Sequence, residues 1–303
     1  MKLHLHRFQL ETKTPFKLSR VTYNVRELLV VELEEDGFSG FGEASDHSFY
    51  DVKIEEIWEV LENLKPIIEA YEFDTPEQFW EEMNSYLKDH SFAQCALDVA
   101  AHDLFGKKMG KPLYELWGLK LENLPITDYT VGIDTPEKMV EKMRAKPWSV
   151  YKIKLGVPED LEIMKALRAA TDVPFRIDAN CGWTVKEAIE KSVELKKLGV
   201  EFIEQPLRGG EFDEMKDVYE KSALPVFADE SCVSESDVKK CVGRFHGINI
   251  KLMKCGGLTP ARRMIEEARK LGLQVMAGCM MESSIGISAV AQLLPLLDYI
   301  DMD

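Results

Sequence analysis

The stretch that decides the fold runs from Val150 to Pro206. It reads VYKIKLG (Val150–Gly156), then VPFRIDAN (Val173–Asn180), then VEFIEQP (Val200–Pro206). Each segment is a short apolar run closed by charged or polar side chains. Helical spacing fills the intervals, at Pro158–Ala170 and Val185–Leu198. Short apolar runs alternating with helical stretches predict buried parallel strands joined by crossover helices. The repeat is about 25 residues, which is what a strand and its crossover need. Working outward, the same rhythm predicts strands at Ile126–Val131, Val150–Leu155, Phe175–Asp178, Phe202–Glu204, Val226–Asp229, Ile248–Lys251, Gln274–Ala277 and Tyr299–Asp301, with a further helix at Leu258–Leu271. Eight such strands predict an α/β fold, a TIM-type (β/α) barrel. An open doubly wound sheet is the alternative, but no G-x-G-x-x-G follows the first strand. Asp303 comes directly after the eighth strand, so the expectation is a barrel without its last helix and C-terminal segment.

Upstream the rhythm differs. Lys2–Thr12 and Leu28–Glu34 alternate apolar and polar residues, the period-two pattern of half-buried strands. Asp36-Gly37 marks a turn before a third strand at Gly40–Ala44. Helical spacing follows in Ile54–Glu69, Pro76–Leu87 and Phe92–Lys108. Strands followed by helices predict an α+β domain over residues 1–120, ahead of a barrel domain over 121–303.

Composition narrows the class of function. Of 303 residues, 45% are hydrophobic and 30% charged, which fits a globular protein with a substantial core. A net charge of −15 repels phosphate backbones and anionic lipid, so neither nucleic acid nor membrane is expected as a partner. Cys95, Cys181, Cys232, Cys241, Cys255 and Cys279 contain no C-x-x-C pair, which favours reduced thiols in the cytoplasm over disulfides or zinc. The opening MKLHLHRFQLETKTPF lacks the apolar core of a signal peptide, and no apolar run reaches bilayer length. Barrels of this kind often form symmetric homo-oligomers, although the sequence marks no interface.

Active-site residues of a TIM barrel lie at the C-terminal ends of its strands. Here those ends carry Lys152-Ile153-Lys154, Asp178-Ala179-Asn180, Glu204-Gln205-Pro206, Asp229-Glu230-Ser231, Asn249-Ile250-Lys251 and Asp301-Met302-Asp303. Asp178, Glu204 and Asp229 are 26 and 25 residues apart, one strand–helix unit each. Three carboxylates on consecutive strands converge on one point, and an all-oxygen set suits Mg2+, with calcium or manganese possible by ligand type. Any one of these acids alone reads as a helix N-cap. Lys152 and Lys154 share a strand face. A neighbouring ammonium and a divalent cation both disfavour a charged lysine, which makes Lys154 a candidate base. Lys251, across the barrel, can serve the other face of a planar intermediate. The bland alternative for each lysine is a solvated surface charge.

These segments resemble the enolase superfamily, in its muconate-lactonizing subgroup. The resemblance rests on YKIKLG (Tyr151–Gly156), RIDAN (Arg176–Asn180), FIEQPL (Phe202–Leu207), ADES (Ala228–Ser231), NIKLMKCGGLT (Asn249–Thr259) and CMMESSIG (Cys279–Gly286), in this order over nearly the whole chain. It implies a modified barrel under an N-terminal capping domain. It implies Asp178, Glu204 and Asp229 as Mg2+ ligands, Lys154 and Lys251 as acid and base, and Lys152 as a holder of the substrate carboxylate. The implied chemistry is removal and return of a proton next to a carboxylate, through an enediolate that Mg2+ stabilises.

Within the subgroup, Asp301-Met302-Asp303 resembles the D-x-D of dipeptide epimerases, where it implies binding of the substrate ammonium by Asp301 and Asp303. Thr130 is a further substrate-contact candidate, with a plain strand role equally open. The loop Thr14–Tyr23 carries Lys17 and Arg20. Either can pair with a glutamate side chain, as in L-Ala-L-Glu, or remain a solvated charge, so a hydrophobic second residue stays open. N-acylamino acid racemase, o-succinylbenzoate synthase and muconate cycloisomerase are the enzymatic rivals. The acid pair at Asp301 and Asp303 argues against the first two. An inactive metal-binding scaffold is the rival from outside enzymology.

Overall fold

The computed structural model describes residues 1–17 and 22–302. Arg20 and Asp303 lie outside the described residues, as does the side chain of Lys17. Three antiparallel strands open the chain: β1 (Lys2–Lys17), β2 (Thr22–Glu35) and β3 (Phe38–Ser45), in that order. Asp36 and Gly37 join β2 to β3 with φ of 53° and 81°, the left-handed pair of a tight hairpin turn. Helices α1 (Ile54–Ala70), α2 (Pro76–Leu87), α3 (Ser91–Met109) and the short α4 (Leu113–Leu116) follow. Gly40 and Gly42 on β3 let α3 approach closely, since a Cβ at either would collide with the α3 backbone at Ala100 or Ala96. Leu29, Val31 and Leu33 bury the same sheet face.

The opposite face, with Arg26, Leu28, Val30, Glu43 and Ser45, turns toward the barrel. Ser45 Oγ meets Met253 Sδ at 3.6 Å, and Glu43 accepts a hydrogen bond from Ser283 N at 2.7 Å.

Eight parallel strands form the second sheet: β4 (Tyr129–Val131), β5 (Tyr151–Lys154), β6 (Phe175–Asp178), β7 (Val200–Glu204), β8 (Val226–Ala228), β9 (Gly247–Ile250), β10 (Gln274–Gly278) and β11 (Tyr299–Asp301). They are ordered consecutively. The ring closes between its ends: Thr127 bridges Ile300 in parallel, and Met302 N donates to Thr127 Oγ1 at 2.9 Å. Outside lie α5 (Pro136–Ala145), α6 (Asp160–Ala170), α7 (Val185–Lys197), α8 (Phe212–Lys221), α9 (Glu235–Val238), α10 (Leu252–Cys255), α11 (Leu258–Lys270) and α12 (Ser284–Ala291). The expected barrel strands are all present. The first begins at Tyr129 rather than Ile126, because Ile126 is exposed and Asp128 is buried against Arg176 at 2.8 Å. Among the described residues no helix is long and apolar enough to cross a membrane.

The cap is fastened to the barrel at Gly256-Gly257. Trp80 Nε1 donates to Gly256 O at 2.9 Å. Asp98 on α3 accepts from Thr259 N at 3.0 Å and from Thr259 Oγ1 at 2.7 Å, capping α11 from another element. Gly257 has φ of 119°, and a Cβ there would strike the Asp98 carboxylate.

Candidate active site

The strand ends converge as the sequence predicts. Asp178 ends β6, Glu204 ends β7 and Asp229 follows β8, and one carboxylate oxygen from each lies within 4.8 Å of the others. All three are buried. Five polar groups ring them. Lys154 Nζ lies 2.6 Å from Asp178 Oδ2, and Lys152 Nζ 2.9 Å from Glu204 Oε2. Asn249 Nδ2 donates to Glu204 Oε1 at 2.9 Å. Lys251 Nζ lies 2.8 Å from Asp229 Oδ2, and Lys254 Nζ 2.6 Å from Asp229 Oδ1. Lys154 ends the second barrel strand and Lys251 follows the sixth, so they reach the carboxylates from opposite sides of the ring.

Loop chemistry fixes these positions. Asp160 Oδ1 accepts from Gly156 N and Val157 N, both at 3.0 Å, pinning the exit of β5 beyond Lys154. Asn180, Cys181 and Gln205 have positive φ of 43°, 62° and 37°, just past Asp178 and Glu204. Left-handed backbone at non-glycine residues is strained and concentrates at functional sites. The Gln205 amide ties the next ligand down, with Oε1 accepting from Asp229 N at 2.9 Å and Ser231 N at 3.0 Å.

The charges balance locally. Burial would raise the Asp178 and Asp229 carboxyls. Lys154 and Lys152 hold the first below the usual range, and Lys251 and Lys254 hold the second well below it. At Glu204 burial prevails over Lys152 and the carboxyl is raised. Burial would lower Lys152 and Lys251, yet the carboxylates around them keep both ammoniums well above the ordinary lysine range. An all-oxygen, buried, convergent trio fits a hard divalent cation.

The remaining sequence candidates fall as follows. Asp301 ends β11 and turns inward, its Oδ2 2.8 Å from Lys152 Nζ. Thr130 sits on β4 in register with Lys152. Sequence reasoning missed Lys254, Asn249 and Gln205, although each lies inside a quoted motif. It also missed the cap loop after β3. There His47 is pushed down to about 3 by burial and by the Arg26 and Lys251 charges, and the Tyr50 hydroxyl is raised by burial and by Asp229. The charges of Lys251 and Asp229 thus act on this loop through space. Glu282, in the loop after β10, is pushed up to about 7 by burial and accepts from Met280 N at 2.8 Å.

Fold and site define the class: a (β/α)-barrel enzyme whose mouth holds a buried carboxylate trio ringed by lysines. Residues 3–118 match the family model of the mandelate racemase/muconate lactonizing enzyme N-terminal domain, and residues 135–300 match the enolase C-terminal domain-like model. The chain is 55% identical over 303 residues to an L-Ala-D/L-amino acid epimerase of Flavobacterium johnsoniae, covering 100% of this chain and 90% of that protein. Among solved structures it resembles a substrate-liganded complex of the L-Ala-D/L-Glu epimerase from Bacillus subtilis, at 27% identity and TM-score 0.94, covering 100% of this chain and 90% of that one. It also resembles a dipeptide epimerase from Enterococcus faecalis complexed with Mg and L-Leu-L-Tyr, at 31% identity and TM-score 0.91, covering 99% and 89%. The chain belongs to the enolase superfamily, in its mandelate racemase/muconate lactonizing branch.

Proposed function

We propose that this chain is a magnesium-dependent dipeptide epimerase that inverts the α-carbon of the second residue. The observation that carries the reading is the placement of Lys154 and Lys251 on opposite sides of the carboxylate trio. Inversion needs a base on one face of a planar intermediate and an acid on the other. Lys154 and Lys251 exchange those roles with the direction of reaction. Asp178, Glu204 and Asp229 hold the ion. Bound Mg2+ would neutralise charge building on the substrate carboxylate and lower the lysine pKa values by adding positive charge among their partners. Lys152 helps hold that carboxylate while bracing Glu204 and Asp301.

Asp301 with Asp303 receives the substrate ammonium, and Thr130 borders the peptide. The relative at 55% identity supports L-alanine as first residue and a variable second one. Arg20 is the cation proposed for an acidic second side chain. We assign residues 1–120 to the cap and 121–303 to the barrel, and place the protein in the cytoplasm on the strength of its free cysteines.

Proton NMR of L-Ala-L-X dipeptides in D2O with Mg2+ tests the reading. Loss of the second residue's α-proton with growth of the L,D diastereomer is expected. A folded, metal-bound sample that exchanges no dipeptide would overturn it.

A further inference from the structure

Each carboxylate of the trio has one oxygen already taken by a donor of the scaffold. Asp178 Oδ1 accepts from Asn180 N at 2.9 Å, Glu204 Oε1 from Asn249 Nδ2 at 2.9 Å, and Asp229 Oδ1 from Lys254 Nζ at 2.6 Å. The other oxygens, Asp178 Oδ2, Glu204 Oε2 and Asp229 Oδ2, are the ones that face Lys154, Lys152 and Lys251.

The donors themselves cannot swing away. Asn249 is fully buried, and its side-chain amide packs on Gly278, where a Cβ would come within 2.9 Å of both its nitrogen and oxygen. Lys254 is held by three backbone carbonyls as well: Asp229 O at 2.6 Å, Cys232 O at 3.1 Å and Asn249 O at 3.1 Å. Its ammonium is a fixed internal cation joining the β8 end to the β9 end, too committed to move a proton for a substrate.

We propose that Asn249 and Lys254 are positioning residues that keep Glu204 and Asp229 monodentate and so select Mg2+ over Ca2+. The inference rests on the trio being a divalent-metal site. Calcium takes six to eight oxygens and readily accepts both oxygens of a carboxylate, whereas magnesium demands a small octahedron. A site offering three single oxygens at fixed places suits the second ion and starves the first.

Calorimetric titration of the purified chain with Mg2+ and, separately, Ca2+ tests this without reference to turnover. Asn249→Ala is expected to raise the Mg2+ Kd about tenfold, the usual effect of losing an outer-shell partner, whereas Lys254→Met also deletes a positive charge beside the site, which favours both cations, so for that variant the prediction is the ratio of the two constants. The Ca2+ Kd is expected to hold or fall, narrowing the preference for magnesium by at least the same factor. Loss of the Lys254 charge acts on both divalent ions alike, so the ratio of the two constants is the readout. An unchanged ratio in both variants overturns the proposal. Failure of the unaltered chain to bind either ion overturns the metal reading instead. If Lys254→Met does not fold, Asn249→Ala, which removes one neutral donor, decides alone.

Discussion

Truncating Asp98 to alanine should loosen the cap from the barrel by an amount the structure lets us work out. Asp98 is 1% exposed. Its carboxylate receives Thr259 N and Thr259 Oγ1, in the first turn of α11. Asp98→Ala leaves one amide hydrogen and a hydroxyl without that acceptor. A buried unsatisfied donor costs about 1–3 kcal/mol. The hydroxyl can still turn to His102 Nε2, 3.0 Å away, so the Thr259 amide carries most of the loss. Water entering the vacated space recovers part of it. The expected destabilisation is about 2 kcal/mol, or about 4 °C in Tm for a chain of this size. Thr259→Val removes only the hydroxyl and should cost about 1 kcal/mol. Urea unfolding of both variants beside the parent checks the ordering. A loss below about 1 kcal/mol for Asp98→Ala, or equal losses for the two variants, would refute the claim that this carboxylate caps α11.

Three other outcomes follow from the geometry. His102 is pushed down to about 3 by burial, from an ordinary 6.5, so the folded state keeps it neutral. A depressed folded value gives stability that is present above pH 6.5 and lost as pH falls toward 3. Replacing it by asparagine should flatten the acid limb by up to about 1.4 kcal/mol per pH unit, read from unfolding curves between pH 7.5 and 5. Lys154→Met and Lys251→Met should each lower epimerisation at least about 100-fold, while α-proton exchange in D2O survives for one diastereomer, a different one in each variant. Chelation should abolish turnover, and restoring Mg2+ at a hundred times its Kd should stabilise the fold by about 2.7 kcal/mol in thermal melts.

The barrel chemistry was legible because charge interrupts apolar strands at a fixed period. A strand end such as Lys152-Ile153-Lys154 puts two lysines on one face by alternation alone, and both reach Asp178. The cap was legible only as strands followed by helices. Its ties to the barrel come through residues whose partners are distant in sequence, such as Glu43 with Ser283 and Asp98 with Thr259. One signal was available and unused. Gln94, Asp98 and His102 recur every fourth residue in α3, among the apolar residues of its first three turns, and that spacing makes one polar stripe. All three are buried, and the stripe lies on the segment Gly256–Thr259. Lys254 was masked differently: nothing in its spacing separates a caged ammonium from the surface lysines.

The same segment explains why docking and chemistry should fail together. NIKLMKCGGLT begins with the strand that sets Lys251 and ends with the residues that receive α3, and the single turn of α10 joins the two. Lys254, inside that turn, grips Asp229. A strain imposed at Gly257 therefore has a short, stiff path to the site. Gly257→Ala places a side chain in backbone that only glycine adopts readily, at about 1–3 kcal/mol, and drives it into Asp98. We expect a larger stability loss than for Asp98→Ala, with a fall in kcat beyond what the unfolded fraction explains. Truncating Asp98 removes the obstacle, so the double variant should be less destabilised than the two losses summed, by at least about 1 kcal/mol. Additive losses would mean that the alanine never met the carboxylate. An unchanged kcat in folded Gly257→Ala would mean that cap docking and Lys251 are mechanically separate, despite only five residues lying between Lys251 and Gly257.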